Sequence, residues 1–180
     1  MKKKKINFDA EFWASDRITC PLKLIEALFQ YDDLNHYKHV LTEVGSHAYE
    51  KKVYKQEYPG DVFMFYLCMR SFIKACYLLQ FKNKKWETNA PPEFTSYLLQ
   101  GCLTDEEYIN PFLVFTKAFE EVSLKEFDNF LKESIHLSLC PCSYIPDSNM
   151  INPLVYLLKM LDASRIIHER GVEKIKKSKN

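Results

Sequence analysis

The stretch of sequence that decides the fold is DVFMFYLCMRSFIKACYLLQF, residues 61–81. Apolar side chains recur in it at steps of three and four residues, with further apolar residues between them, so a helix made from it is hydrophobic on most sides. Asp61 is a good N-cap for such a helix. A helix of this kind needs neighbours all around it, and we therefore expect residues 61–81 to form a buried central helix. The main apolar stripe consists of Val62, Phe65, Tyr66, Met69, Phe72, Ile73, Cys76 and Leu79.

The remainder of the 180-residue chain has the start and stop signals of further helices. Pro21 is typical of a first helical turn, Gly101 of a residue just past a helix end, and Ser123 opens a capping box. Gly45 and Ser46 predict a stop followed by a restart. The chain has four glycines and eight prolines, fewer turn residues than all-β folds use. We expect an all-α fold, a single-domain irregular helical bundle of seven to nine helices.

Lysines are concentrated at the two ends of the chain. Residues 2–5 are all lysine, and residues 173–180 contain four more. We expect residues 1–5 and 173–180 to be flexible basic tails around a helical domain of residues 6–172. Within that domain the polar segment KNKKWETNAPP, residues 82–92, predicts a surface loop and marks the one position for a weak subdivision.

The charges of the body are segregated although the formal net charge is only +1. Residues 51–86 contain eight basic residues against two acidic ones, and residues 87–136 contain ten acidic residues against three basic ones. The favoured interpretation is that the two halves pack together and neutralise each other. The alternative is a dipolar surface that orients a partner or a second copy of the chain.

The N-terminal segment, the cysteines and two charged residues of the apolar helix bear on the cellular location of the protein and on membrane binding. The N-terminal segment MKKKKINFDAEF lacks the apolar core of a secretory signal. Cys68 and Cys76 lie in the apolar helix, and Cys20 precedes another helix, which is typical of buried, reduced thiols in a cytoplasmic protein. Arg70 and Lys74 argue against membrane insertion of residues 61–81, because each would cost about 3 kcal/mol at mid-bilayer. We expect a cytoplasmic protein with no membrane partner.

Catalytic and nucleotide-binding motifs are absent from the sequence. It contains no phosphate-binding glycine loop, no dinucleotide glycine pattern, no G-x-S-x-G and no H-E-x-x-H. We therefore expect a non-enzymatic helical module without a cofactor, which binds another protein or itself through an aromatic groove or its charge-segregated surface.

A nucleic-acid-associated regulator or a helical ribonuclease-like protein is the alternative function. Its binding surface would be the basic tails together with residues 51–85. Arg165 and His168 lie on one helix face, where histidine is suited to proton transfer and arginine to stabilising phosphate charge. The third hypothesis is a helical protein that binds a metal or a small anion.

Arg70 and Lys74 are the basis of the anion hypothesis. They lie one turn apart on a largely apolar helix, so they require either acidic partners or a water-facing groove. An internal ion pair with carboxylates of the acidic half is the favoured explanation, because buried charges are normally paired. The alternative is an anion-binding pocket lined by Tyr66 or Tyr77.

The metal hypothesis depends on SIHLSLCPCSYIPDSN, residues 134–149. His136 and Cys140 are one helical turn apart and Cys142 follows closely, and an imidazole with two thiolates is a suitable set of zinc ligands. The spacing is not a C-x2-C pattern, so ordinary packing is favoured over zinc. The long connection over residues 138–151 also offers Tyr144 and Asp147 as ligand-binding residues, unless its prolines merely stiffen a crossover.

Overall fold

The computed structural model describes residues 7–14, 17–55, 58–82, 85–91, 97–140 and 151–175. Within these ranges the fold is all-α, as predicted, with seven helices of five or more residues and one four-residue turn. The helices are α1 (Pro21–Tyr31), α2 (Leu34–Glu50), α3 (Pro59–Leu79), α4 (Tyr97–Gln100), α5 (Asp105–Ile109), α6 (Phe112–Glu121), α7 (Leu124–Leu139) and α8 (Ile151–Arg170). Two short strands, β1 (Trp86–Thr88) and β2 (Val172–Lys174), form an antiparallel ribbon.

Helix α3 is the buried central helix that the sequence predicts. It begins at Pro59, two residues earlier than expected, because proline at the first turn loses no helical hydrogen bond. Met69, Phe72 and Cys76 have no exposed surface. Helices α1, α6 and α7 all pack against α3. Residues Gly60–Leu79 are long and apolar enough to cross a membrane, and the core helices of soluble proteins have the same length and composition. Of the apolar stretch in this helix, 56% is buried within the protein.

Helices α2, α7 and α8 complete the core around α3. Helix α2 packs against both α7 and α8, and α8 also packs against α1 and α6. Apart from Ala48 of α2 and Leu137 of α7, the buried hydrophobic residues of these helices belong to a single cluster. This arrangement leaves one side of the α3–α7 pair facing solvent, as the cavities described below show.

The predicted stop at Gly45 and Ser46 is wrong, because α2 continues through both residues to Glu50. A Cβ atom at Gly45 would lie 3.4 Å from Leu154 Cδ2 of α8. This is an ordinary van der Waals distance, so Gly45 is an interior residue of α2 at its contact with α8 and does not end the helix. The helix ends at Lys51, which has a left-handed φ of 55°.

Two capping boxes fix the starts of α5 and α7. At α7, which the sequence predicts, Ser123 Oγ accepts the Glu126 N–H at 3.3 Å, and Glu126 Oε2 accepts the Ser123 N–H at 2.7 Å. Thr104 and Glu107 make the same reciprocal pair at α5. Each box satisfies backbone donors that a helix start otherwise leaves unpaired.

The two strands replace parts of a predicted loop and a predicted tail. Trp86 pairs with Lys174 and Thr88 with Val172, so residues 86–88 and 173–174 are not the free segments that we expect from the sequence. Gly171 has a φ of +75° and turns the chain after α8. Strands of three residues are too short for alternation to be recognised in the sequence. Residues 1–6 and 176–180 of the basic tails lie outside the described residues.

Candidate functional site

Two successive cavities line the solvent side of the α3–α7 pair, and we call them together the α3–α7 groove. One cavity, of about 360 Å³, is the aromatic end, and the other, of about 380 Å³, is the charged end. Residue numbers rise along α3 and fall along α7 from one cavity to the next, so the two helices are antiparallel. The aromatic end is lined by Val62, Phe63, Tyr66, Lys132, Ile135, His136 and Leu139, and the charged end by Arg70, Ile73, Lys74, Leu124, Lys125 and Asp128.

The aromatic end exposes apolar side chains that a folded protein ordinarily buries. Phe63 is 53% exposed and Leu139 is 46% exposed. Phe12, 70% exposed, meets the Phe63 ring edge-on with the ring centroids 6.1 Å apart. Phe12 is held there because the neighbouring Trp13 is buried and its Nε1 donates to Ser71 Oγ of α3 at 3.2 Å. Exposed apolar side chains that lie together are uncommon on monomeric soluble proteins, so this end of the groove is a candidate binding surface.

The charged end confirms that internal ion pairs accompany Arg70 and Lys74. Lys74 forms an ion pair with Asp9, and Arg70 lies between two carboxylates. Its Nε is 3.4 Å from Asp128 Oδ1, and its Nη1 is 4.0 Å from Asp9 Oδ2. Asp128 also pairs with Lys132, one turn later on α7. Only Asp128 comes from the acidic half of the sequence, whereas Asp9 precedes the basic half. Because these groups are partly exposed, their pairs contribute little to stability.

The two tyrosines proposed beside Arg70 are separated in the structure. Tyr66 lines the aromatic end of the groove, next to the cavity that holds Arg70. Tyr77 instead packs edge-on against Phe81 and Phe119, with centroid distances of 5.6 and 5.3 Å. The structure therefore brings Tyr66 to the groove but places Tyr77 in an aromatic contact with α6.

Two of the three proposed zinc ligands, His136 and Cys140, lie within the described residues. His136 lines the aromatic end of the groove, and Cys140 is an exposed residue whose N–H donates to the His136 carbonyl at 2.9 Å. Among the described residues, no three His, Cys, Asp or Glu side chains are grouped as metal ligands. Cys142, Tyr144 and Asp147 lie outside the described residues, so the zinc site and the ligand-binding loop remain predictions.

Sequence reasoning missed a buried ionic network on α8. Asp162, 1% exposed, accepts hydrogen bonds from Lys38 Nζ of α2 at 2.9 Å to each oxygen, and from the Cys102 N–H at 2.8 Å. Gly101 makes this possible, since with a φ of +64° it has no Cβ where the carboxylate lies. The signal in the sequence was an acidic residue on the apolar face of the last helix.

Glu107 is a second buried carboxylate that a lysine of α8 holds. Its side chain accepts from Lys159 Nζ of α8 at 2.8 Å and from the Thr104 N–H at 3.0 Å, and Lys117 lies 3.5 Å away. Burial alone favours the protonated acid, but these hydrogen bonds and charges outweigh it and lower the pKa of Glu107. Both buried carboxylates are thus held by lysines and fasten α2, α5 and α6 to α8.

The residues of the ribonuclease hypothesis make structural contacts. Arg165 donates to the Leu99 carbonyl and lies 3.5 Å from Glu169 Oε1. The His168 ring packs on Phe29, with a centroid distance of 5.6 Å. These contacts use the guanidinium that would have to stabilise phosphate charge.

The five described cysteines are free thiols. Burial raises the pKa of Cys68 to about 12 and raises that of Cys76 well above its ordinary value. These two residues are the buried thiols that the sequence predicts, whereas Cys20 is only half-buried. Burial also raises the pKa of Cys102, so the thiol beside Lys38 and Asp162 is not activated for nucleophilic chemistry.

Comparison of the chain with models of protein families, with curated proteins and with solved structures finds no match.

Proposed function

We propose that this chain is a non-enzymatic, cytoplasmic protein-interaction module that binds a helix of another protein in the α3–α7 groove. The observation that carries the proposal is the aromatic end, where Phe12, Phe63 and Leu139 are all about half exposed or more beside a cavity. Each 100 Å² of apolar surface removed from water stabilises a complex by about 2.5 kcal/mol before the costs of association.

The shape of the groove suits a helical partner. Two antiparallel helices leave a linear depression between them, and amphipathic helices bind in such depressions through apolar residues spaced one or two turns apart. The two cavities supply two such positions along the same line. Aromatic and arginine side chains at such a surface, here Phe63, Tyr66 and Arg70, are the residue types that contribute most to binding energy.

The absence of catalysis remains part of the proposal and is supported by the ionisable groups. The two buried carboxylates, Asp162 and Glu107, are both held by lysines. Neither lines the groove. Their arrangement is that of structural ion pairs, which fix helices in place and keep these two carboxylates from acting as a free acid or base.

Selection of binders from a library of displayed helical peptides tests the proposal. The wild-type chain is the target, and the variants Phe63→Asp and Leu139→Ser are used to recognise groove binders. Tyr49→Asp is the matched control, because Tyr49 is 81% exposed on α2 and lines neither cavity of the groove. Circular dichroism first verifies that all three variants are folded.

Selected peptides should bind the wild-type chain and Tyr49→Asp equally, and the two groove variants at least about tenfold more weakly, since each variant removes a contact worth ~1.5 kcal/mol or more. Peptides that bind all four proteins alike, or the absence of any selected peptide, would refute docking in the groove. Self-association of the wild-type chain that is lost in Phe63→Asp would show that the occupant is a second copy.

A further inference from the structure

The charged end of the groove contains an arginine between two apolar contact positions. Tyr66 and Arg70 are spaced i and i+4 along α3, so they lie on one side of that helix. Tyr66 lines the aromatic cavity, and Arg70 lines the charged cavity together with Leu124, a half-buried residue of α7. Ile73 also lines the charged cavity, but it is only 2% exposed and offers a partner almost no surface. A helix lying along the groove therefore meets apolar, cationic and apolar surface in that order.

Arg70 is incompletely satisfied by its own protein. It makes no hydrogen bond to any of the described residues, and its Nε is shielded from solvent. The carboxylates near it lie 3.4 and 4.0 Å away, and both are engaged by lysines: Asp9 pairs with Lys74, and Asp128 with Lys132. The Arg70 side chain is 36% exposed, so a further carboxylate can approach its terminal Nη atoms from the groove, where the carboxylates of the protein itself are shared with lysines.

The groove as a whole also favours an acidic partner. Lys125 at its charged end is exposed and forms no ion pair within the described part of the chain. Four cations therefore surround two carboxylates, which leaves an excess of positive charge along the groove. The cations are Arg70, Lys74, Lys125 and Lys132, and the carboxylates are Asp9 and Asp128.

We infer that the occupant of the groove is an acidic amphipathic helix of another protein, with apolar residues at i and i+7 and a carboxylate at i+4 that pairs with Arg70. This inference rests on the proposed function and specifies the partner's chemistry. The spacing follows from the rise of 1.5 Å per residue, because Leu124 lines the same cavity as Ile73, seven residues after Tyr66, which places the contacts at Tyr66 and Leu124 about 10 Å apart along the groove. The carboxylate forms a charge-assisted, bidentate contact that the lysines of the groove cannot provide.

Three synthetic helical peptides test the inference. They are fluorescein-labelled and alanine-rich, carry leucine at i and i+7, and differ only at i+4, which is glutamate, glutamine or lysine. Binding to the full chain is measured by fluorescence anisotropy at low and at high salt. The protein variants are Arg70→Gln and, as a matched control, Lys23→Gln, which removes an exposed cation of α1 that lines neither cavity of the groove.

The wild-type chain and Lys23→Gln should bind the glutamate peptide about tenfold more tightly than the glutamine peptide, and the lysine peptide most weakly. In Arg70→Gln the difference between the glutamate and glutamine peptides should fall below about twofold, which is the signature of direct coupling. High salt should reduce the preference for glutamate in the wild-type chain.

The failures of the two proposals are distinguishable. Equal binding of all three peptides to the wild-type chain, lost in Phe63→Asp, would overturn the acidic partner and leave groove docking intact. A preference for glutamate that persists in Arg70→Gln would overturn the role of Arg70. Binding of none of the peptides, by a chain that also selects no peptide from the library, would refute groove docking itself.

Discussion

Replacing Gly101 by alanine is expected to destabilise the fold by about 3 to 5 kcal/mol, far more than a methyl group ordinarily does. Gly101 has a φ of +64°, where a residue with a Cβ is strained by about 1–2 kcal/mol. The added Cβ would also lie 2.6 Å from Asp162 Cγ and 2.9 Å from Asp162 Oδ1, closer than real Cβ contacts allow.

The larger part of the effect comes from the displaced carboxylate. Asp162 is 1% exposed and must move away from both the Cys102 N–H and Lys38 Nζ. Disrupting a buried charged pair costs about 3–5 kcal/mol, and the lower end applies here because the Lys38 side chain is 26% exposed. Against a typical total stability of about 5–15 kcal/mol, the variant should be close to unfolding.

Urea denaturation followed by circular dichroism measures this effect, with Gly60→Ala as the matched control. Gly60 lies in the first turn of α3, and a Cβ there would meet nothing within 4 Å. That substitution should be neutral or should stabilise by about 0.5 kcal/mol through the better helix propensity of alanine. A loss below about 1 kcal/mol in Gly101→Ala would contradict the role assigned to the α8 network.

Three further predictions concern the core and its ionisable groups. Phe72→Ala should lower the free energy of unfolding by about 3–5 kcal/mol, because it leaves a cavity in the core beside the middle of α3. A loss of about 1 kcal/mol would show that α3 is not central. The pKa of Glu107 is lowered in the folded state, so its contribution to stability is complete above the ordinary glutamate pKa of about 4.3 and is lost as the pH falls through the lowered value. Urea titrations from pH 6 to about pH 3 should therefore give a flatter stability curve for Glu107→Gln than for the wild-type chain, and parallel curves would argue against the network. A thiol reagent followed by mass spectrometry should modify exposed Cys140 in the native protein and should reach Cys68 and Cys76 only after denaturation; native labelling of the latter two would mean that α3 is not enclosed.

Hydrophobic periodicity made α3 predictable, and the S-x-x-E motif made the capping box at Ser123 predictable. Both signals depend only on residues that are close in sequence. The break expected at Gly45 was wrong because α2 continues through this residue and packs on α8, whose Leu154 lies more than 100 positions later in the chain. Helix propensity cannot distinguish a glycine that ends a helix from one inside a helix that tertiary packing holds.

The groove was foreseeable only in part. The sequence indicated that Arg70 and Lys74 need carboxylates, but their partners Asp9 and Asp128 come from distant segments and are set by the packing of α3 on α7. The exposure of Phe63 could not be foreseen, since it lies in the same apolar run as the fully buried Phe72. Which face of α3 remains uncovered is decided by the number and position of its neighbours.

Charged residues lie in two different environments in this fold. Asp162 is buried and held by Lys38, which makes it part of the scaffold. Arg70 is partly exposed beside a cavity and has no hydrogen bond to the described residues, which is why the proposal assigns it to a partner. Burial and satisfaction of hydrogen bonds, rather than charge alone, separate structural ion pairs from recognition sites.

The most direct test of groove docking is a map of backbone amide chemical shifts of the 21.3 kDa chain during titration with the glutamate peptide. We expect the largest changes along the lengths of α3 and α7 that line the two cavities, including the amides of Phe63, Arg70 and Ile135, and we expect these changes to saturate together. Changes concentrated on α1, α8 or the β1–β2 ribbon, with α3 and α7 unaffected, would contradict groove docking.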